Sequence, residues 1–255
     1  MLFDTHAHFN DNRFKHDRDE AINNAHESGV SYILNVSYNI PSLDHSVSLS
    51  KRYNYIYAAV GIHPHYSKEM TDEVLNKVRS LAGNKKVVGI GEIGLDYYRD
   101  LSPREVQKDC FIKQIALAKE LNLPIIVHIR DANEDALNVL KSENAKEVGG
   151  IIHSFSGDVK MAKEVLDNNF YISVGGPVTY RNVRNLVDVV KFVPDDKLLI
   201  ETDCPYLTPE PFRGKRNDSS FVRLVAEKVA EIKGKNFEEI ANITTANAKR
   251  LFNID

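Results

Sequence analysis

Leu2-Phe3-Asp4-Thr5-His6-Ala7-His8 is the stretch on which the reading of the fold turns. Leu2-Phe3 opens a strand, and along a strand residues two apart point to the same face. Asp4, His6 and His8 are therefore expected to project together, with the two imidazoles gripping one cation as neighbouring ligands. A helix would splay the same pair, because ligands on a helix need spacings of three or four.

Working outward, strand-like and helix-like stretches alternate to the end of the chain. Strands are expected at residues 2–8, 30–36, 55–60, 86–90, 125–128, 150–153, 171–174 and 197–202. Helices are expected at 17–28, 42–52, 71–81, 103–121, 131–142, 159–166 and 181–190. The longest opens with Ser102 as its cap, Pro103 at its first position and an early Glu105. Phe221, Leu224, Val225, Val229 and Ile232 then mark an amphipathic helix, and Thr245 is expected to cap a short extra helix holding Leu251 and Phe252. Eight mostly apolar strands, each backed by a helix, call for a parallel sheet buried on both faces. The expected fold is α/β, a (β/α)8 TIM barrel with a short C-terminal helix, and a doubly wound open sheet is the alternative. No linker or low-complexity segment interrupts the pattern, so residues 1–255 read as one domain.

Composition bounds the function. The 255 residues are 42% hydrophobic, enough for a sizeable core, and the formal charge of −3 supplies no global field for nucleic acid. Attraction to phosphates would have to come from a local patch or from bound cations. Cys110 and Cys204 have no paired spacing, and nothing resembles a signal peptide or membrane span, so a cytoplasmic location is expected.

In a barrel, chemistry sits at the carboxyl ends of the strands. Reading those ends in turn yields His6, His8, His63, Glu92, His128, His153 and Asp203. Of nine histidines, six (with His65) fall at such ends, which sets them apart from scattered structural histidines. Imidazole and carboxylate donors without thiolate suit Zn, Mn, Ni or Fe, with Mg where oxygen dominates. Four histidines and two carboxylates exceed the needs of one tetrahedral ion, so two divalent metal ions are expected, with Glu92 as candidate bridge. Bound metal lowers the pKa of a water from ~15.7 towards ~7. Asp203 could be a ligand, the base that orients that water, or both in turn.

Further stretches complete the picture: Gly61-Ile62-His63-Pro64-His65, Gly91-Glu92-Ile93-Gly94-Leu95-Asp96-Tyr97, His153-Ser154-Phe155-Ser156-Gly157, Glu201-Thr202-Asp203-Cys204-Pro205-Tyr206 and Arg213-Gly214-Lys215-Arg216-Asn217. Together with Asp4-Thr5-His6-Ala7-His8, these resemble the TatD-type metal-dependent deoxyribonucleases of the amidohydrolase-like barrels, over nearly the whole chain. The resemblance implies divalent-metal binding by His6, His8, Glu92, His128, His153 and Asp203. It also implies hydrolysis of DNA phosphodiester bonds, as a 3′-5′ exonuclease on single strands or 3′ ends. The family commonly follows Arg-Asn with Glu-Pro, where this chain has Asp218-Ser219. The start of the last barrel helix is therefore expected to differ.

Other residues have both a functional and a plainer reading. His63 is expected to meet the scissile phosphate or protonate the leaving oxygen, or simply to bond within its loop. His65, Arg130 and Ser154 are candidate phosphate contacts, against ordinary loop, ion-pair or capping roles. Arg213, Lys215 and Arg216 form a candidate basic rail at the rim. Asp4 and Glu201 are read as interior carboxylates that fix an imidazole tautomer. Cys204 reads as a small packed hydrophobe, and Tyr97, Tyr98 and Tyr206 lie in loops where bases could stack. A monomeric nuclease leads. A metal-dependent amide or ester hydrolase acting on small molecules is second, although several such relatives bridge their metals with a carboxylated lysine where this chain has Glu92. A metal-binding protein without catalysis is third.

Overall fold

The computed structural model describes residues 1–254. Its eight strands are β1 (Leu2–Ala7), β2 (Val30–Val36), β3 (Ile56–Val60), β4 (Val87–Asp96), β5 (Ile125–Arg130), β6 (Gly150–Ile152), β7 (Phe170–Val174) and β8 (Leu198–Ile200). Each pairs in parallel with the next, in sequence order. The helices α1 (Arg18–Glu27), α2 (Ile40–Arg52), α3 (Asp72–Ala82), α4 (Arg104–Leu121), α5 (Asn133–Ser142), α6 (Val159–Asp167), α7 (Arg184–Phe192) and α8 (Val222–Lys233) follow the strands one by one, and α9 (Phe237–Phe252) ends the chain. This is the (β/α)8 TIM barrel, not the open sheet.

Burial on both faces produces two apolar layers. Phe3, Leu34, Ala59, Val88, Ile126, Ile151, Tyr171 and Leu199, one from each strand, fill the interior, and Phe252 and Ile254 cover its lower end. The outward residues of the strands pack on the helices through Ile22, Leu43, Phe111, Ile115, Val189 and Val229, among others.

Closure depends on β1 meeting β8. Ala7 bridges to Cys204, the His8 amide donates to the Cys204 carbonyl at 2.8 Å, and the Asp203 amide donates to the His6 carbonyl at 2.9 Å. Asp4 locks this seam. Its buried carboxylate accepts from the Thr202 amide (2.9 Å), Thr202 Oγ1 (2.6 Å), Ser219 Oγ (2.5 Å) and the His6 amide (3.3 Å). The expectation that Asp4 faces the interior and orients an imidazole is therefore incorrect. Phe3 and Thr5 take the inward positions, with Thr5 Oγ1 reaching Ser173 Oγ and the Ile200 carbonyl. Ser219, which stands where the family commonly has proline, supplies the hydroxyl that reaches Asp4. Asp218 caps the short turn before α8 by accepting from the Ser220 amide.

Several boundaries differ from the sequence reading for local reasons. α2 starts earlier because Asn39 and Ser42 form a reciprocal cap with Pro41 in the first turn. α5 starts later because Asp131 sits at φ 52°, outside helical geometry. Ser102 does not cap α4, and its hydroxyl instead donates to the His65 carbonyl. Thr245 does not start a helix: Asn236 caps the longer α9, and Thr245 lies within it with its hydroxyl on the Met1 carbonyl. β4 runs past its expected end to Asp96. This is possible because Gly94 has φ +138°, and a Cβ there would lie 2.0 Å from the His128 carbonyl oxygen.

Replacing Asp4 with Ala would leave several buried donors unpaired at the seam. Asp4→Ala is expected to cost on the order of 2–4 kcal/mol, and Ser219→Ala about 1 kcal/mol. Urea unfolding would show both, and equal stability of the two variants would contradict the role given to Asp4.

Candidate metal centre

The upper end of the barrel collects the side chains expected there. β1 departs from simple alternation, because its register with β2 shifts between Asp4 and Ala7. That irregularity turns His6 and His8 towards one point, their Nε2 atoms 3.1 Å apart, although Asp4 points elsewhere. Glu92 stands at the centre. Its Oε2 lies 3.5 Å from both His6 Nε2 and His8 Nε2, and Asp203 Oδ1 lies 3.4 Å from His8 Nε2 and 3.9 Å from His6 Nε2. Its Oε1 lies 2.9 Å from His153 Nε2, 3.0 Å from His128 Nδ1 and 3.4 Å from His63 Nε2. Each Glu92 oxygen thus faces its own group of donors.

The donor atoms fit cations better than they fit one another. His8 Nδ1 sits 2.9 Å from the Val36 carbonyl, which can only accept, so Nδ1 carries the proton and Nε2 turns a lone pair inward. His128 Nε2 sits 3.1 Å from Asp96 Oδ2, leaving the Nδ1 lone pair facing Glu92. His153 Nδ1 lies 3.4 Å from Glu201 Oε1, which favours the same arrangement. Lone pairs of His8, His128 and His153 then face, and repel, carboxylate oxygens 2.9 to 3.5 Å away. A divalent ion on either side of Glu92 would remove that repulsion.

The groups of the cluster differ in how readily they take up a proton. Burial opposes charge on His153, but Glu92 and Glu201 overcome it and push its pKa well above the usual imidazole value. His128 is raised in the same way: burial works against it, while Asp96 and Glu92 outweigh burial. Burial also penalises ionised Glu92, yet the surrounding imidazoles bring its carboxyl well below the ordinary range. His63 differs, because burial pulls it down to about 4.

Around these groups lies a cavity of about 490 Å³, lined also by Arg13, Tyr38, His65, Arg99, Arg130, Ser154 and Tyr206. His65, Arg130 and Ser154 are thus brought to the site. Arg213, Lys215 and Arg216, the expected basic rail, do not line this cavity. Arg213 lies over the Tyr180 ring and Lys215 over Phe212. Arg216 is held by Asp17 at 2.5 and 2.8 Å. Cys204 is fully buried in the seam, as its reading as a packed hydrophobe requires. Asp96, Arg13 and Arg99 were not singled out from sequence. Asp96 had a usable signal, since it follows Glu92 by four residues on one strand. The two arginines had none.

The family profile described as TatD related DNase matches residues 3–253. The chain belongs to this family. It is 52% identical over 255 residues to YabD of Bacillus subtilis, named an uncharacterized metal-dependent hydrolase, with all of both chains covered. It is 34% identical over 259 residues to the Erwinia tasmaniensis 3′-5′ ssDNA/RNA exonuclease TatD, covering 99% of this chain and 100% of that one. Among solved structures, the TatD homologue YJJV of Escherichia coli superposes with a TM-score of 0.93 at 30% identity, covering 100% of this chain and 98% of that one. The protein is a TatD-family metal-dependent hydrolase. No helix among the described residues is long and apolar enough to cross a membrane.

Two outcomes follow for metal binding. Asp96→Ala frees His128 to adopt the other tautomer and is expected to weaken divalent-metal affinity roughly 10- to 100-fold, read by calorimetric titration of the metal-free protein. Protons and metal compete for the same nitrogens, and His128 and His153 hold protons to higher pH than free imidazole. Affinity should therefore fall as pH drops through and below neutrality and rise above it. Affinity that is flat from pH 6 to 8 would contradict this competition.

Proposed function

We propose that the chain, acting as one barrel over residues 1–255, hydrolyses phosphodiester bonds of single-stranded DNA, including 3′ ends, with two divalent ions. His6, His8, Asp203 and Glu92 Oε2 would hold one ion, and His128, His153 and Glu92 Oε1 the other. The observation that carries this reading is the placement of Glu92, one oxygen towards each set of donors. Bound divalent ions supply Lewis acidity and make a water acidic enough to attack at neutral pH.

The chain's own groups account for the rest. Glu92 fixes the separation of the two donor sets. Asp203 lines the cavity beside His8, where its carboxylate can orient the attacking water and accept its proton. His63 accepts the His65 amide at Nδ1 (3.1 Å), so its proton sits on Nε2 and points into the site. A neutral imidazole held near 4 is a poor acid at pH 7, so His63 serves as a hydrogen-bond donor to a phosphate oxygen. Arg130, Ser154 and His65 lie in the cavity wall, where they can contact a phosphate. The name of the Erwinia relative supports nucleic acid as substrate.

End-labelled single- and double-stranded DNA, incubated with a panel of Mg, Mn, Zn and Ni and a chelator control, tests the proposal. Nucleotide release should require metal and fall at least ~100-fold in both Glu92→Ala and Asp203→Ala, about 3 kcal/mol of lost transition-state stabilisation. Hydrolysis of small amides or esters with none of DNA would overturn the reading in favour of an amidohydrolase, and undiminished activity in both variants would remove these residues from the chemistry.

A further inference from the structure

Tyr206 is one of the few large side chains left open to solvent, 40% exposed, and it stands in the cavity wall. Its ring centroid is 6.3 Å from that of His8. The Arg13 guanidinium lies over this ring, its Cζ 4.1 Å from the centroid.

The pair is held in place from below. The buried Asp11 carboxylate accepts from the Tyr206 hydroxyl at 3.1 Å and from the Arg13 amide at 2.8 Å, and lies 3.5 Å from Arg13 Nε. Asn217 Nδ2 donates to the Tyr206 carbonyl at 2.6 Å, and Arg216 Nη1 donates to the Arg13 carbonyl at 2.8 Å. Arg216 thus braces the backbone of Arg13 while its guanidinium is paired with Asp17. An exposed aromatic ring capped by a guanidinium, both fixed to one buried acid, is more order than a solvated rim requires.

We propose that Tyr206 with Arg13 on its face seats an unpaired base of the nucleotide flanking the cleaved bond, and so selects single strands. This rests on the phosphodiesterase reading above. Bases present a free π-face only when taken out of a duplex stack, and aromatic rings and Arg planes are the surfaces that receive them. The formal charge of −3 supplies no long-range attraction for nucleic acid, so contacts made within the cavity, this one among them, carry the binding.

The test compares a single-stranded oligonucleotide with versions carrying an abasic residue at each of the last three positions, using wild type, Tyr206→Leu and Tyr206→Phe. Tyr206→Leu should raise KM for the intact strand roughly 10- to 100-fold, with the loss carried by KM and not by kcat, and Tyr206→Phe should recover most of it. An abasic residue at one position should raise the wild-type KM by a similar factor and add nothing in Tyr206→Leu. Anisotropy of the labelled strand without divalent ions should give the same ratios in Kd, and Tyr55→Leu, far from the cavity, should change neither. Abasic and Tyr206→Leu effects that multiply, or an unchanged KM, would overturn the seat while leaving the phosphodiesterase intact. A wild type that cleaves no nucleic acid with any ion would remove both proposals.

Discussion

Four imidazoles and two carboxylates meet at the upper end of this barrel with acceptor atoms about 3 Å apart, and that crowding is the constraint the structure is arranged around. Charged and polar groups this deeply buried are costly unless paired. Part of the cost is offset by acceptors behind the imidazoles: the Val36 carbonyl for His8, Asp96 for His128 and Glu201 for His153. These outer contacts turn lone pairs inward, and so make the site attractive to a cation and repulsive when empty of both metal and protons.

The fold serves this arrangement through its seam. His6, His8 and Asp203 approach from the first and last strands, so their geometry depends on how the barrel closes. Asp4 and Thr202 hold that closure, together with the backbone exchange between His6 and Asp203. Ser219 joins the same network from the start of α8. The serine at this position is therefore part of the structural lock beneath the site.

Charge is distributed differently from what a nuclease rim first suggests. The loop from Arg213 to Arg216 spends its cations on Tyr180, Phe212 and Asp17. The arginines that do line the cavity, Arg13, Arg99 and Arg130, come from separate segments: a short turn after β1, the loop after β4 and the end of β5. Arg13 and Arg130 each lie over a tyrosine, Tyr206 and Tyr98. Their positive charge is thus presented on aromatic supports at the mouth.

The sequence by itself determined the strand count, the alternation and the barrel, because apolar runs of strand length separated by amphipathic helices admit few other burials. It also determined that His6, His8, His63, Glu92, His128, His153 and Asp203 would gather, since parallel strands place all their carboxyl ends at one rim. Only the tertiary structure decided which way each side chain turns. The β1 irregularity parts Asp4 from His6, and Asn39 and Asn236 set helix starts that periodicity placed elsewhere. Asp96 locks His128 from a strand that outruns its apolar core, and Arg13 reaches the cavity from a loop with no periodic signal. Those outcomes depend on contacts between segments far apart in the chain, where local pattern exerts no control.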